Sequence, residues 1–247
     1  MSDWRNEHGE AISSFIEFLN ENSDDYILKG GTALSLCYGL NRFSEDIDLD
    51  GRAKGLIELV DKYCASNEDC SYRIAKDTDT VERCFVNYGS DSRPLKIEAS
   101  YRREDIPENE TVIINDIRVY DIELLCIMKT AAYAGRDKIR DVYDVSFIIN
   151  NYYERLSPQT ISMARNVVEN KGFAQLDYVI RNQPDELIDE DRLVEGFLDA
   201  CNKLGLLVGD DEKDIVEKYQ NANDDLSVED FDFVDDDDDG ISSDWGD

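Results

Sequence analysis

Asp46 and Asp48 alternate with Ile47 and Leu49 in the segment that most strongly constrains the fold of this 247-residue chain. In a β-strand, neighbouring side chains point to opposite faces, so both aspartates would lie on one face while the two aliphatic residues enter a core. Two carboxylates this close repel each other unless a cation lies between them. The pattern therefore predicts a half-buried strand with a cation-binding face.

A pair of glycines, Gly30 and Gly31, follows a short apolar run at 26–28 and precedes the acidic strand. Glycines permit a turn with positive φ and let main-chain N–H groups approach a phosphate, and Thr32 can add its hydroxyl where a helix begins. A plain strand-to-helix connection would explain the glycines equally well. At this spacing from the aspartates, whose hard oxygen ligands suit Mg²⁺ with bound phosphates, they indicate a metal-dependent phosphoryl- or nucleotidyl-transfer site.

Glu98 is the candidate for a third carboxylate. Alternation along residues 95–100 places it on the same face as Lys96 and Ser100. On a strand beside the one that carries Asp46, it would complete a set of three acids that could hold two Mg²⁺ ions. The alternative is a solvated carboxylate on an exposed face.

A second cluster of charged residues follows residue 120. Lys129 ends an apolar run on a predicted helix, which favours an anchored ammonium group suited to phosphate binding. Asp141 and Asp144 share one face of the next predicted helix, and Arg136 and Arg140 are spaced to share another. An ordinary helix with salt bridges would also explain this cluster.

The pattern of predicted elements divides the chain into three regions. Helical and β-like segments alternate in residues 1–120, which predicts an α+β domain with a mixed sheet. Residues 121–208 have helical patterns and predict a helical domain that completes a ligand cleft. About half of the net charge of −31 lies in 209–247, which includes an unbroken row of five aspartates. Self-repulsion and the scarcity of apolar residues predict a disordered tail there.

Composition narrows the possible functions. The acidic charge weakens a nucleic-acid-binding interpretation without excluding it, because the field is screened over about 10 Å and a local basic groove can still act. The lone histidine, His8, argues against a zinc site built on histidine pairs and against a Ser-His-Asp triad. Six cysteines without a Cys-x-x-Cys spacing, no apolar leader and no long apolar run predict a reduced, cytoplasmic protein with no membrane contact.

Four elements, taken in their order and spacing, resemble the AbiEii/AbiGii toxin family, whose members have a DNA-polymerase-β-like nucleotidyltransferase fold and include the MenT toxins. The matching residues are Gly30-Gly31-Thr32, the segment from Arg42 to Leu49 with Ser44, Asp46 and Asp48, then Lys129, and finally Arg140-Asp141-Val-Tyr-Asp144.

The resemblance implies a two-metal mechanism with an NTP as substrate and Mg²⁺ as cofactor. It makes Asp46 and Asp48 metal ligands and catalytic residues, and it adds Lys129 and Asp141 to the catalytic set. Glu98 is the third candidate metal ligand. The candidate nucleotide-binding residues are Gly30, Gly31, Thr32, Ser44, Lys129 and Arg136.

Members of this family are proposed to transfer nucleotides from an NTP, and some modify the acceptor end of tRNA. The resemblance therefore implies a toxin of a toxin–antitoxin or phage-defence pair, with NTP, tRNA and a cognate antitoxin as partners. Two alternatives stay open. The acceptor could be a small molecule, such as an aminoglycoside, or a protein, and the chain could instead be a non-catalytic binding module whose acidic tail engages a basic partner.

Overall fold

The centre of the fold is a seven-stranded sheet. The computed structural model describes residues 4–89, 93–103 and 105–207. Its strands are β1 (Tyr26–Lys29), β2 (Asp46–Gly51), β3 (Ser71–Asp77), β4 (Val81–Asn87), β5 (Leu95–Ser100), β6 (Thr111–Ile114) and β7 (Ile117–Tyr120). They are arranged in the order β3-β4-β5-β2-β1-β7-β6, so β2 lies in the middle of the sheet.

The described residues also form helices around and beyond the sheet. They are α1 (Trp4–Asn22), α2 (Gly30–Tyr38), α3 (Leu56–Ser66), α4 (Ile122–Gly135), α5 (Ile139–Tyr152), α6 (Pro158–Asn182) and α7 (Glu190–Lys203), with short 3-10 turns at Glu108–Glu110 and Tyr153–Arg155. None of the helices in this described part is long and apolar enough to cross a bilayer.

The sheet is mixed, which confirms the predicted α+β class. Strand β2 runs antiparallel to β1 and parallel to β5, and Asp48 lies in register between Lys29 and Glu98. The alternation in β2 explains its central place, because Ile47 and Leu49 are almost completely buried. A strand with one fully apolar face gains most when a packed layer covers that face.

The helical region after residue 120 packs with the sheet in one compact unit that extends to Leu206. Helices α4 and α5 pack against each other, and α2 contacts α4 as well as strands β1 and β2. The division of this unit into two domains at residue 120 stays a prediction. The predicted disordered tail, 209–247, lies outside the described residues.

Two helix boundaries are informative. The helix predicted to begin at Thr32 begins at Gly30, because the chain turns directly from β1 into α2 with a φ of 77° at this glycine. The helical patterns at 158–170 and about 173–181 correspond to the two arms of α6. They meet at Gly172, whose φ of 63° and ψ of −175° are not helical.

Replacing Gly172 with alanine should destabilise the protein. Its backbone conformation is one that only glycine adopts at low cost, and a Cβ there would meet no other atom, so the penalty is purely one of backbone strain. We expect a loss of about 1–3 kcal/mol in the free energy of unfolding, measured with urea. Gly135→Ala is the control, since Gly135 is helical with open space around it, and should be neutral or slightly stabilising. Equal effects of the two substitutions would contradict the strain at Gly172.

Candidate active site

The acidic face of β2 carries three aspartates. Asp46 and Asp48 are half-buried and point to the face opposite Ile47 and Leu49, as the alternation predicted. The third, Asp50, is almost fully buried. Its carboxylate is 2.5 Å from Lys29 Nζ and accepts a hydrogen bond of 2.8 Å from the Tyr120 hydroxyl. Asp50 is thus held by partners inside the protein, and the two preceding aspartates remain the candidates for ligand binding.

These two aspartates differ in their partners. Asp46 forms an ion pair of 2.7 Å with Lys96, the residue beside it on β5. The carboxylate of Asp48 makes no hydrogen bond or ion pair with any described residue, although Asp48 is paired with Lys29 and Glu98 in the sheet. Burial raises the pKa of Asp48 most, Asp46 and Glu98 raise it further, and the charge of Lys96 opposes this shift. A carboxylate in this state has one strongly favourable partner available, a cation.

The glycine pair brings the first turn of α2 against the acidic face. A Cβ on Gly30 would lie 2.9 Å from Asp48 Oδ2, and a Cβ on Gly31 would lie 2.8 Å from both Arg42 Nη2 and Ser44 Oγ. Side chains at either position would push these groups away. The side chain of the N-cap residue, Lys29, does not accept a hydrogen bond from the first turn of α2. The main-chain N–H groups of this turn can therefore donate to a bound anion.

Thr32 and Ser44 lie together beside this turn. The Thr32 hydroxyl donates to the main-chain carbonyl of Asp46 and is 3.0 Å from the Ser44 hydroxyl. Thr32 is almost completely buried. Its side chain therefore fixes the start of β2 relative to α2, whereas a nucleotide contact by Thr32 or Ser44 stays a prediction.

Asp144 on α5 is a fully buried carboxylate with two cationic partners. Arg42 binds it with two hydrogen bonds of 2.7 Å, and Lys129 Nζ lies 2.6 Å from its Oδ2. Burial alone would raise the pKa of Asp144, but Lys129 and Arg42 outweigh burial and lower it below the ordinary value. Because Arg42 also lies against Gly31, this cluster connects Lys129 to the first turn of α2.

Asp141 is paired with Arg136. The guanidinium makes contacts of 2.6 and 3.0 Å with this carboxylate, which is buried, while Arg136 itself is exposed. The hydrogen bond to Asp141 is the main cause that raises the pKa of Arg136, and the negative charges of Asp48 and Asp144 raise it as well. Arg136 therefore lies within electrostatic reach of the acidic face of β2.

Glu98 lies next to Asp48 in the sheet register, but its carboxylate binds Arg83 at 2.5 Å. Within the described residues, no three acidic, histidine or cysteine side chains form a ready-made metal cage. Two carboxylates nevertheless fit Mg²⁺, which takes one or two from the protein and the remaining ligands from phosphates and water. The carboxylate of Asp48 beside that of Asp46 meets this requirement, and the ligand assignments stay predictions.

Sequence patterns assigned no role to three of the residues that build this site. Arg42 and Asp144 lie in the matched motifs, yet their pairing across 102 positions of sequence was not anticipated. Lys96 shares a face of β5 with Glu98, two residues away, and this shared face was the available signal for its place beside Asp46. In each case the sequence did not show which strand or helix lies next to the element that carries the residue.

A helix that begins at a glycine pair, an acidic strand beside it and nearby lysine and arginine side chains are the parts that nucleotidyl transfer needs. The family description "Nucleotidyl transferase AbiEii toxin, Type IV TA system" matches residues 18–232. Because the match covers most of the chain, the protein belongs to the AbiEii nucleotidyltransferase toxin family. The resemblance inferred from the four motifs is thereby confirmed.

Two solved structures are similar over nearly the whole chain. JHP933 from Helicobacter pylori has 28% sequence identity and a TM-score of 0.69, with 91% of this chain and 98% of that chain covered. A candidate nucleotidyltransferase from H. pylori has 28% identity and a TM-score of 0.70, with 89% and 99% covered. No curated protein matches this chain.

The same substitution at two aspartates should have opposite effects on stability. The pKa of Asp48 is raised in the folded protein, so ionisation of this carboxyl destabilises the fold as pH rises. Asp48→Asn removes that charge, and the variant should melt a few degrees above wild type at pH 7. Asp144→Asn removes a carboxylate whose lowered pKa contributes stability at neutral pH, so it should lose about 3–5 kcal/mol.

The differences in stability between wild type and each of the two variants should fade in acid, because the wild-type carboxyls are then protonated. The loss for Asp144→Asn should be complete above the ordinary carboxyl pKa of about 3.9 and shrink as pH falls through the lower pKa of the folded state. Thermal and urea unfolding between neutral and acidic pH measure both curves. Shifts of the same sign at pH 7 would contradict the assigned environments.

Proposed function

We propose that this nucleotidyltransferase transfers a nucleotide from an NTP to the terminal hydroxyl of the tRNA acceptor end, in a reaction that depends on Mg²⁺. One observation carries the proposal. Asp46 and Asp48 share a face of β2 and stand beside the glycine turn that opens α2, and the Asp48 carboxylate has no hydrogen-bond or ion-pair partner among the described residues. A cation with bound phosphates satisfies both carboxylates and the helix start together.

Asp46 and Asp48 would hold the metal, with Glu98 in register beside them as the third candidate ligand. When bound, Mg²⁺ neutralises charge on the phosphates and favours deprotonation of the attacking hydroxyl. In the free protein Lys96 partly neutralises this acidic pair through Asp46. Binding therefore requires Lys96 to share or release that carboxylate.

The remaining groups would bind and orient the triphosphate. The start of α2 lies beside the acidic pair, because Gly30 is packed against Asp48 and Gly31 against the Ser44 hydroxyl, and its main-chain N–H groups would bind phosphate oxygen. Lys129 uses one donor on Asp144 and, with three donors on its ammonium group, can also reach phosphate oxygen. Arg136, positioned by Asp141, would add a second cation. Both cations come from the region after residue 120, which supports its assignment as the part that completes the cleft.

In the proposed reaction the acceptor hydroxyl gives its proton to solvent and its oxygen bonds to the α-phosphorus in line. The bond between that phosphorus and the bridging oxygen breaks, and pyrophosphate leaves with the electron pair. The developing negative charge falls on oxygens near the α2 start and Lys129, and preorganised donors of this kind provide electrostatic stabilisation. Such a toxin would act in the cytoplasm, where NTPs and tRNA are present, and a cognate antitoxin is its proposed partner.

Transfer of labelled nucleotide tests the reaction directly. Purified protein with α-labelled NTPs, Mg²⁺ and total RNA should label tRNA, and Asp48→Asn should lower the rate by about 100-fold or more, since it removes charge at the centre of the site. Asp177→Asn, an exposed aspartate on α6 paired only with Arg181, is the matched control and should keep wild-type activity. Label on a small molecule or on protein instead of RNA would refute the tRNA acceptor.

Mg²⁺ should stabilise the wild-type protein without any substrate. A ligand at tenfold its Kd adds about 1.4 kcal/mol to the free energy of unfolding, so Tm should keep rising with the logarithm of the Mg²⁺ concentration once that concentration exceeds Kd. Asp48→Asn should show a much smaller rise, because one of the two carboxylates has become an amide. Equal rises in both proteins would place the bound ion elsewhere.

A further inference from the structure

The acidic face of β2 continues into a face of opposite character on the three neighbouring strands. Register places Lys96 beside Asp46, Phe85 opposite Lys96, and Arg73 opposite Phe85. Arg83, opposite Glu98, and Lys76, opposite Arg83, complete this set. We call these five residues, Arg73, Lys76, Arg83, Phe85 and Lys96, the basic strip.

The basic strip lies on the open side of the sheet. Along β4, the strip residues Arg83 and Phe85 are partly exposed, whereas the alternate residues Cys84 and Val86 are completely buried. Helix α3 packs on that buried side. The strip therefore shares its face with Asp46 and Asp48 and is accessible to a ligand.

Part of the positive charge of the strip is uncompensated. Lys96 and Arg83 are paired with Asp46 and Glu98, but Arg73 and Lys76 form no ion pair with any described residue. The Arg73 guanidinium instead lies 4.2 Å from the centroid of the Phe85 ring. The net charge of the chain is −31, so a run of cations from the acidic pair to the sheet edge makes this surface differ in sign from the chain as a whole.

We propose that the basic strip binds the single-stranded 3′ end of an RNA whose terminal hydroxyl lies at Asp46 and Asp48. This inference rests on the proposed nucleotidyl transfer and assigns the surface on which its acceptor lies. Three strand spacings separate β2 from β3, about 14 Å, so the strip would lie under the nucleotides that precede the acceptor hydroxyl. Lysine and arginine side chains would neutralise their phosphates.

The aromatic side chain favours a single strand. Bases in a single strand are free to stack on an aromatic ring or a guanidinium plane, whereas those in a duplex are covered by their neighbours, and a flat sheet face presents such a platform. Phe85 with Arg73 stacked over it provides both surfaces at one position. A cationic small molecule would meet repulsion from the same residues.

The test compares RNA binding by the full chain and by charge reversals. The probe is a fluorescent single-stranded RNA with a free 3′ hydroxyl, titrated by anisotropy at several salt concentrations. Arg73→Glu and Lys76→Glu should each weaken binding about tenfold and reduce the salt slope by about 0.7 for each phosphate that is no longer neutralised. Phe85→Leu should weaken binding by about tenfold with little change in slope, because it removes stacking and no charge.

Lys62→Glu is the matched control. Lys62 is exposed on α3, on the opposite side of the sheet, and its reversal makes the same change in net charge. The RNA affinity of this variant should stay within about twofold of wild type, because a screened charge on the far side contributes little. Equal weakening by Lys62→Glu, or no weakening by the strip reversals, would overturn the proposal.

A parallel titration of the wild type with Mg-NTP separates this inference from the proposed function. Binding of NTP that requires Asp48, without measurable RNA binding, would overturn the basic strip and leave nucleotidyl transfer standing. Failure of the wild type to bind Mg-NTP would refute the proposed function itself. Preference of the wild type for a duplex of the same sequence over the single strand would also overturn the strip, since Phe85 could then not stack on a base.

Discussion

The buried carboxylate of Asp144 is the interaction on which the arrangement of the site depends. It joins the segment before β2, through Arg42, to helix α4, through Lys129, and it lies on α5 itself. A carboxylate without exposure to water is tolerated only when cations and hydrogen bonds replace its hydration, so all three elements are fixed in one geometry. The position of Arg42 against Gly31 transmits that geometry to the start of α2.

Charge compensation around the site shows how the free protein keeps so many carboxylates together. Lys96 neutralises Asp46, Arg83 neutralises Glu98, and Arg136 neutralises Asp141. The acids thereby hold cations near the site before any phosphate arrives, and the exchange required when a metal binds is the one at Asp46, which Lys96 must share or release. The Asp48 carboxylate lacks such a partner among the described residues, and a bound cation would offset the cost of its burial.

Local patterns in the sequence predicted what depends on neighbouring residues. The alternation of Asp46 and Asp48 with apolar residues indicated the strand and its faces. The kink of α6 at Gly172 was not predicted, although helical patterns end at 170 and resume at about 173. The sheet order and the Arg42–Asp144 pair were not predicted, because they depend on which distant elements meet in space. Periodicity specifies a face of a strand but not its neighbour, and 102 positions separate the two members of that pair.

The sheet order also resolves the apparent conflict between an acidic chain and a polyanionic acceptor. Electrostatic attraction at a site is decided by charges within about one Debye length, roughly 10 Å in 0.1 M salt, and the total of −31 matters mainly at longer range. Pairing β5, β4 and β3 beside β2 brings their cations within that distance of the acidic pair or of one another. The remaining negative surface then opposes non-specific binding of nucleic acid elsewhere, so RNA would be held only where its 3′ end can react.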